Sequence, residues 1–272
     1  MFKRILLPTD FSDVAANALR YALELAQVIG STRIDVKHWY TPQTAPDAML
    51  IPPVQEVLQQ RQHSMERFLG DLPVGEGIQL AHTVEIGFAA DGIVDHAADY
   101  DLIVMGSTGE NGLLERVFGS VSSAVAQRAP IPVLLVPGSA AFVNFRQILY
   151  ASHDISLSHA LVRKLMDFNH LFHARVHFIN VQDPEDEDAS REDREKLFAT
   201  LFTGPDPEFA FEIADVEAET VEEGLRAYVQ AHPIDLVIMA TKRRGFWEGF
   251  FHRSQVKRMA LHPDLPLLVF HM

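Results

Sequence analysis

The sequence predicts an α/β fold built twice: two tandem doubly wound domains, each with a parallel sheet. Three observations predict it. Apolar runs recur in matched pairs across the two halves: ILLPTDFS (5 to 12) with ILYASHDIS (148 to 156), DLIVMGS (101 to 107) with DLVIMAT (235 to 241), and IPVLLVP (131 to 137) with LPLLVFH (265 to 271). A period of about half the chain means a duplicated domain rather than a solenoid, and the drifting offsets suit two diverged copies with short insertions and deletions. Within the first copy, strand-like and helix-like segments alternate. Runs such as DLIVM and PVLLV are apolar without alternation, which suits strands buried on both faces, as a parallel sheet requires.

Taken in order, Arg4 to Leu7 reads as a strand. Ser12 to Ile29 reads as a helix, because Leu19, Ala22, Leu23 and Ala26 recur at helical spacing, Ser12 stands at the N-cap position and Asp13 in the first turn. Strand Ile34 to Tyr40, helix Val54 to Leu69, strand Ile78 to Ile86, helix Ala89 to Ala98, strand Leu102 to Met105, helix Val121 to Arg128 and strand Val133 to Val136 follow. The pattern is βαβαβαβαβ, and a doubly wound sheet follows from it, twice over. The boundary falls in PGSAAFVNF, Pro137 to Phe145, where small residues and Gly138 interrupt the patterning, so the domains are 1–140 and 145–272. TPQTAPDAMLIPP (41 to 53) and the acidic QDPEDEDASREDREK (182 to 196) read as solvated connections or helix surface.

With 23 basic and 37 acidic side chains the formal net charge is -14, which argues against nucleic acid or an anionic membrane as partner. An anionic ligand must therefore meet a local positive field. Cysteine is absent, which excludes disulfides and thiolate chemistry and suits a reducing compartment. The segment MFKRILLPTDFS has a basic start, but its apolar run is broken at Pro8 and Asp10, too soon for a secretory signal, and no stretch approaches the roughly 18 apolar residues that span a bilayer. The expectation is a soluble cytoplasmic protein.

In a doubly wound sheet the ligand sits beyond the carboxyl ends of the strands, where strand order reverses. PTD (8 to 10) and the glycine-rich GSTGENGLLERVFGS (106 to 120) both follow strands that can flank such a point. Small residues at 106 and 109 admit backbone N–H groups to a phosphate, and Gly119-Ser120 opens a helix whose N-terminus carries partial positive charge. The Ser120 hydroxyl can cap that helix or donate to a phosphate oxygen. On glycines alone, a phosphate cradle, a plain turn and a plain N-cap all remain open. The stretch lacks the Walker GK[ST] and the Gly-x-Gly-x-x-Gly dinucleotide fingerprint.

What it matches is Gly-x2-Gly-x9-Gly-[Ser/Thr], at Gly106, Gly109, Gly119 and Ser120. With ILLPTDFSDVAANAL (5 to 19), the DLIVMGS strand and PIPVLLVP (130 to 137), it resembles the universal stress protein family in its tandem two-domain form. The resemblance covers essentially the whole chain, more strongly over 1 to 137 than over 146 to 271. It implies a five-stranded parallel sheet in each domain, Rossmann-like and of the adenine nucleotide alpha hydrolase-like kind. In members with the intact glycine pattern it also implies bound ATP or a related adenine nucleotide, with or without Mg2+. By that resemblance Pro8, Thr9 and Asp10 line the adenosine side, and the backbone near Trp39 meets the adenine. Gly106, Ser107, Thr108 and Gly109 wrap ribose and phosphate, and Gly119, Ser120, Val121 and Ser122 hold the outer phosphates. Trp39 stands where the family has a small aliphatic residue, so its ring either covers the base or obstructs it.

In the second copy, ATKRRGFWEGFFHRSQ (240 to 255) has Ala240 in place of Gly106 and Arg243 or Arg244 near the second glycine, and HRS replaces the Gly-Ser pair. ASHD (151 to 154) offers His153 or Asp154 at the aspartate position. No ATP is expected there. The cluster Lys242, Arg243, Arg244, Arg253, Lys257 and Arg258 reads as ion-paired surface, an anion site or a dock for the acidic segment. Phe246, Trp247, Phe250 and Phe251 read as core or interface. His170 and His173 fall near a helix end and His177 in the next strand, a spacing that does not read as a metal site. A lone Asp10 with phosphate-bound Mg2+ is the minimal apparatus of a slow ATPase, the alternative to a nucleotide-dependent regulator. A nucleotide-independent interaction protein is the third reading. The closing strands Val133 to Val136 and Leu267 to Phe270 are short, apolar edges that invite pairing. In the family they pair between domains, which implies an intramolecular pseudo-dimer and a homodimer of tandem chains with four domains.

Overall fold

The computed structural model describes residues 2–41, 53–70, 72–108, 119–151, 159–182, 210–218, 221–241 and 265–271. The chain divides into two compact units, Phe2–Ala140 and Ala141–Met272.

In the first unit the elements are β1 (Arg4–Pro8), α1 (Asp13–Ile29), β2 (Arg33–Tyr40), α2 (Val54–Leu69), β3 (Gln79–Ile86), α3 (Ala89–His96), β4 (Leu102–Gly106), α4 (Ser120–Arg128) and β5 (Val133–Val136). The strands are parallel in the order β3-β2-β1-β4-β5, so the order reverses between β1 and β4. The unbroken apolar runs are the central strands: Ile5, Leu6 and Leu7 of β1 and all of β4 are buried, whereas β3 leaves Gln79, His82, Thr83 and Ile86 exposed. Helix α1 starts where Ser12 Oγ accepts the Ala15 N–H at 3.2 Å, and it buries Leu19, Ala22, Leu23 and Ala26. Asn17 of α1 donates through Nδ2 to the carbonyls of Pro137 and Ala140, both at 2.8 Å, fastening the helix to the chain after β5.

The second unit contains β6 (Gln147–Ala151), α5 (His159–Asn169), β7 (Arg175–Gln182), β8 (Phe211–Glu217), α6 (Val221–Ala231), β9 (Leu236–Thr241) and β10 (Leu267–His271). Its parallel order, β10-β9-β6-β7-β8, repeats that of the first unit. The duplication extends to single atoms. Asp101, just before β4, accepts the N–H groups of Lys3 and Arg4 at 2.8 and 2.9 Å. Asp235, just before β9, accepts those of Arg146 and Gln147 at 2.7 and 2.9 Å. The repeated Asp-Leu therefore marks a carboxylate that pins the start of the neighbouring strand. The core of this unit gathers Phe145, Phe168, Phe172 and Phe270, with the Phe145 and Phe172 ring centroids 4.6 Å apart.

His170 and His173 follow the end of α5, and His177 lies inside β7. The His177 Nε2 donates to Gln147 Oε1 at 2.6 Å and Nδ1 accepts the Tyr228 hydroxyl at 2.8 Å, so both ring nitrogens of this buried side chain are used. Among the described residues no group of three His, Cys, Asp or Glu is placed to hold a metal ion, and no helix is long and apolar enough to cross a membrane.

Candidate functional site

Strands β1 and β4 lie side by side, and the turns that leave their carboxyl ends carry most of the residues singled out in the sequence. After Pro8, the Thr9 N–H donates to the Lys37 carbonyl of β2 at 2.8 Å. Asp10 Oδ1 accepts both the N–H and the hydroxyl of Ser12, at 3.1 and 2.6 Å, so the residue that caps α1 also orients the carboxylate. Between them Phe11 has φ +68°, a left-handed backbone that bulky residues rarely adopt. Its N–H donates to Thr9 Oγ1 at 3.0 Å, and its ring lies 4.3 Å from the His38 ring and 5.7 Å from Phe68 of α2. His38 Nδ1 stands 2.8 Å from the Thr9 carbonyl oxygen. Burial pushes the His38 pKa down, the Thr9 carbonyl opposes that shift, and Arg61 of α2 adds to it.

At the end of β4, a Cβ on Gly106 would sit 3.0 Å from Val14 Cγ1 and 3.2 Å from the Thr108 carbonyl. The missing side chain is thus used by α1, which crosses the strand end closely at Val14. Ser107 is buried; its N–H donates to the Val136 carbonyl at 2.9 Å, and its own carbonyl accepts the Gly119 N–H at 2.8 Å and the Ser122 hydroxyl at 2.6 Å. These bonds bring the two ends of the 107 to 119 excursion together. Gly109 and the residues through 118 lie outside the described residues. Helix α4 begins at Ser120 with Gly119 as N-cap, so the Ser120 hydroxyl does not cap the helix; it is an exposed first-turn group. Ser122, expected among the phosphate-holding groups, has its hydroxyl committed to Ser107 and Gly119, while Val121 is partly exposed. The first-turn N–H groups of Ser120, Val121 and Ser122 have no acceptor within the helix at those positions, which leaves a positive end beside Ser107 and Thr108.

Trp39 is held between β2 and α3. Its backbone is at the carboxyl end of β2, but its ring is buried against α3, near His96 at 5.8 Å between centroids and over Gly92, where a Cβ would overlap the indole. The glycine at 92 leaves the slot that the indole fills. Phe11, His38 and Phe68 pack at the Thr9–Ser12 turn and are not residues that the sequence alone marks out. The signal for them is a bulky aromatic inside the Pro-Thr-Asp-Phe-Ser turn and a histidine one residue before Trp39.

A family model described as the universal stress protein family matches residues 1–137 and again residues 144–271. The chain belongs to this family. A universal stress protein of Thermus aquaticus is 36% identical over 139 residues, which are 50% of this chain and 99% of the relative. One of Methanocaldococcus jannaschii is 29% identical over 143 residues, 50% of this chain and 82% of the relative. Each therefore corresponds to about one of the two universal stress protein domains. Two solved structures share the fold along nearly the whole chain. A universal stress protein of Archaeoglobus fulgidus has a TM-score of 0.67 at 19% identity, covering 98% of this chain and 96% of that one. A Pseudomonas aeruginosa structure described as a universal stress protein has 0.59 at 15%, covering 99% and 93%. In the second universal stress protein domain, residues 152–158 and 242–264 lie outside the described residues, and with them His153, Asp154, the basic cluster and the aromatic group.

Proposed function

We propose that the first universal stress protein domain binds ATP or a related adenine nucleotide, and that occupancy changes the protein's conformation or association as part of a cytoplasmic stress response. The supporting observation is the junction at Ser107. Its carbonyl ties the start of α4, with its first-turn N–H groups, to the end of β4 beside the Thr9–Asp10 turn. Phosphates then lie at Thr108, Ser120 and Val121, with the positive helix end opposing their charge in an otherwise acidic protein. The adenosine side lies along Pro8, Thr9, Asp10 and the backbone of Trp39. The nucleotide binds with or without Mg2+. The second domain carries no nucleotide in this manner, because basic and bulky residues stand in its loop sequence. The family resemblance supports two chains associating as four domains; a strict monomer in light scattering contradicts that.

The test is to denature the purified protein and quantify what is released. The expectation is about one adenine nucleotide per chain, lost on Gly109→Val and on the pair Gly119→Val with Ser120→Ala. Two per chain contradicts the asymmetry. None after incubation with millimolar ATP contradicts the proposal.

A further inference from the structure

His38 is a polar side chain in a place where packing alone does not call for one. It is 8% exposed, under the Phe11 ring. Because Nδ1 faces the Thr9 carbonyl oxygen at 2.8 Å, Nδ1 carries the proton and donates, and Nε2 is left as an acceptor. That Nε2 is buried and has no hydrogen-bond partner among the described residues. An unpaired buried acceptor is destabilising, and a phenylalanine would fill similar space without one. What the histidine provides that phenylalanine cannot is the Nδ1–H.

We propose that His38 is a positioning residue for the nucleotide: its Nδ1–H on the Thr9 carbonyl holds the Thr9–Ser12 turn in the form that presents Asp10 at the carboxyl edge. The inference rests on the nucleotide reading above. Residues 37 and 38 of β2 grip Thr9 by both backbone groups, its N–H on the Lys37 carbonyl and its carbonyl on the His38 ring. From that fixed point the Thr9 hydroxyl accepts the Phe11 N–H, and the His38 ring supports the Phe11 ring, the two contacts that hold Phe11 at positive φ. Asp10, one residue earlier, then meets Ser12 and is locked by it. Without the donor, the Thr9 carbonyl loses this partner in a buried place, and the turn relaxes toward negative φ at Phe11, turning Asp10 away from Ser12.

The experiment compares the unsubstituted protein with His38→Asn, whose amide donor lies near the position of Nδ1, and His38→Phe, which keeps a ring and has no donor. ATP affinity is measured by calorimetry. Amide exchange at Phe11 and Ser12, relative to the β5 amides, is measured without nucleotide. His38→Phe is expected to weaken ATP binding about tenfold and to speed the Phe11 and Ser12 exchange by a similar factor, while His38→Asn stays within about threefold on both readouts. Tight binding by His38→Phe, or an Asn variant no better than Phe, overturns the inference. If the unsubstituted protein binds no ATP, the nucleotide reading fails by itself. The exchange comparison then still decides whether His38 holds the turn, and unchanged exchange overturns that as well. Should His38→Phe not fold, His38→Gln replaces it. Its amide lies at the distance of Nε2, so it is expected to bind as weakly as the donor-free variant, and Gln equal to Asn overturns the positional claim.

Discussion

Adding one methyl group at Gly92 is expected to be destabilising only because Trp39 is there. An ideal Cβ at that position lies 2.6 Å from the indole Cε2 and nearer still to Cδ1 and Nε1. Carbon atoms rest at about 3.5 to 4.0 Å, so the ring must move by about 1 Å in a buried site. Overpacking of this kind costs about 1–3 kcal/mol, against about 1 kcal/mol gained by exchanging glycine for alanine inside a helix. The single substitution alone therefore reads ambiguously, and the coupling is the quantity to measure. In a Trp39→Leu background the overlap is gone, and Gly92→Ala is expected to stabilise by up to about 1 kcal/mol. The coupling between the two positions is then about 1–3 kcal/mol. The assay is urea unfolding of the four proteins followed by far-ultraviolet circular dichroism, since Trp39 is one of only two tryptophans and its fluorescence changes with the mutation itself. Coupling near zero, with Gly92→Ala equally stabilising in both backgrounds, refutes the placement of the ring on α3. The same placement predicts that Trp39→Leu lowers stability but leaves ATP affinity within about threefold.

Ser122→Ala removes the hydroxyl that joins α4 to the Ser107 carbonyl and is expected to cost about 1–2 kcal/mol by urea unfolding, with loss under about 0.3 kcal/mol contradicting that tie. Asp101→Ala and Asp235→Ala each release two backbone N–H groups from a carboxylate, so each is expected to destabilise by about 1–3 kcal/mol. A clear loss in one and none in the other would contradict their equivalence. Burial pushes the His177 pKa below its ordinary value of 6.5, with Glu212 opposing and His232 and Arg175 adding to the shift. The unfolded chain therefore binds more protons than the folded one below that value. The associated stability is complete above it and is lost as pH falls from it toward the depressed folded value. His177→Gln is expected to flatten the pH dependence of unfolding between neutral and mildly acidic pH, and superimposable slopes contradict this. His38 stays in both proteins, so its own titration cancels in the comparison.

Local physics made much of the first domain readable. Strands buried on both faces betray themselves as unbroken apolar runs, which is why β4 and β5 stand out in DLIVM and PVLLV. Helix α1 announces its start by Ser12 and its buried face by Leu19, Ala22, Leu23 and Ala26, and these depend only on neighbours within two turns. The repeated Asp-Leu was legible as a repeat, but not as the carboxylate that pins a strand 98 residues away from Asp101.

Other features depend on which segments meet in space. Period-two alternation puts Trp39 on the opposite face of β2 from His38, yet it does not say which helix covers that face or that Gly92 leaves it a slot. Gly106 reads as a phosphate approach, and the sequence does not say that Val14 of α1 also packs closely against it. Ser122 reads as a phosphate-holding residue, and the sequence does not say that its hydroxyl donates to the Ser107 carbonyl. Sequence by itself determined the duplicated α/β plan and the strand and helix order, because those follow from burial periodicity and local capping. Only the tertiary structure decided which groups at the ends of β1 and β4 are already engaged, and that Phe11 and His38 meet at the Thr9–Ser12 turn, because hydrogen bonds and close contacts between distant segments exist only once the chain has folded.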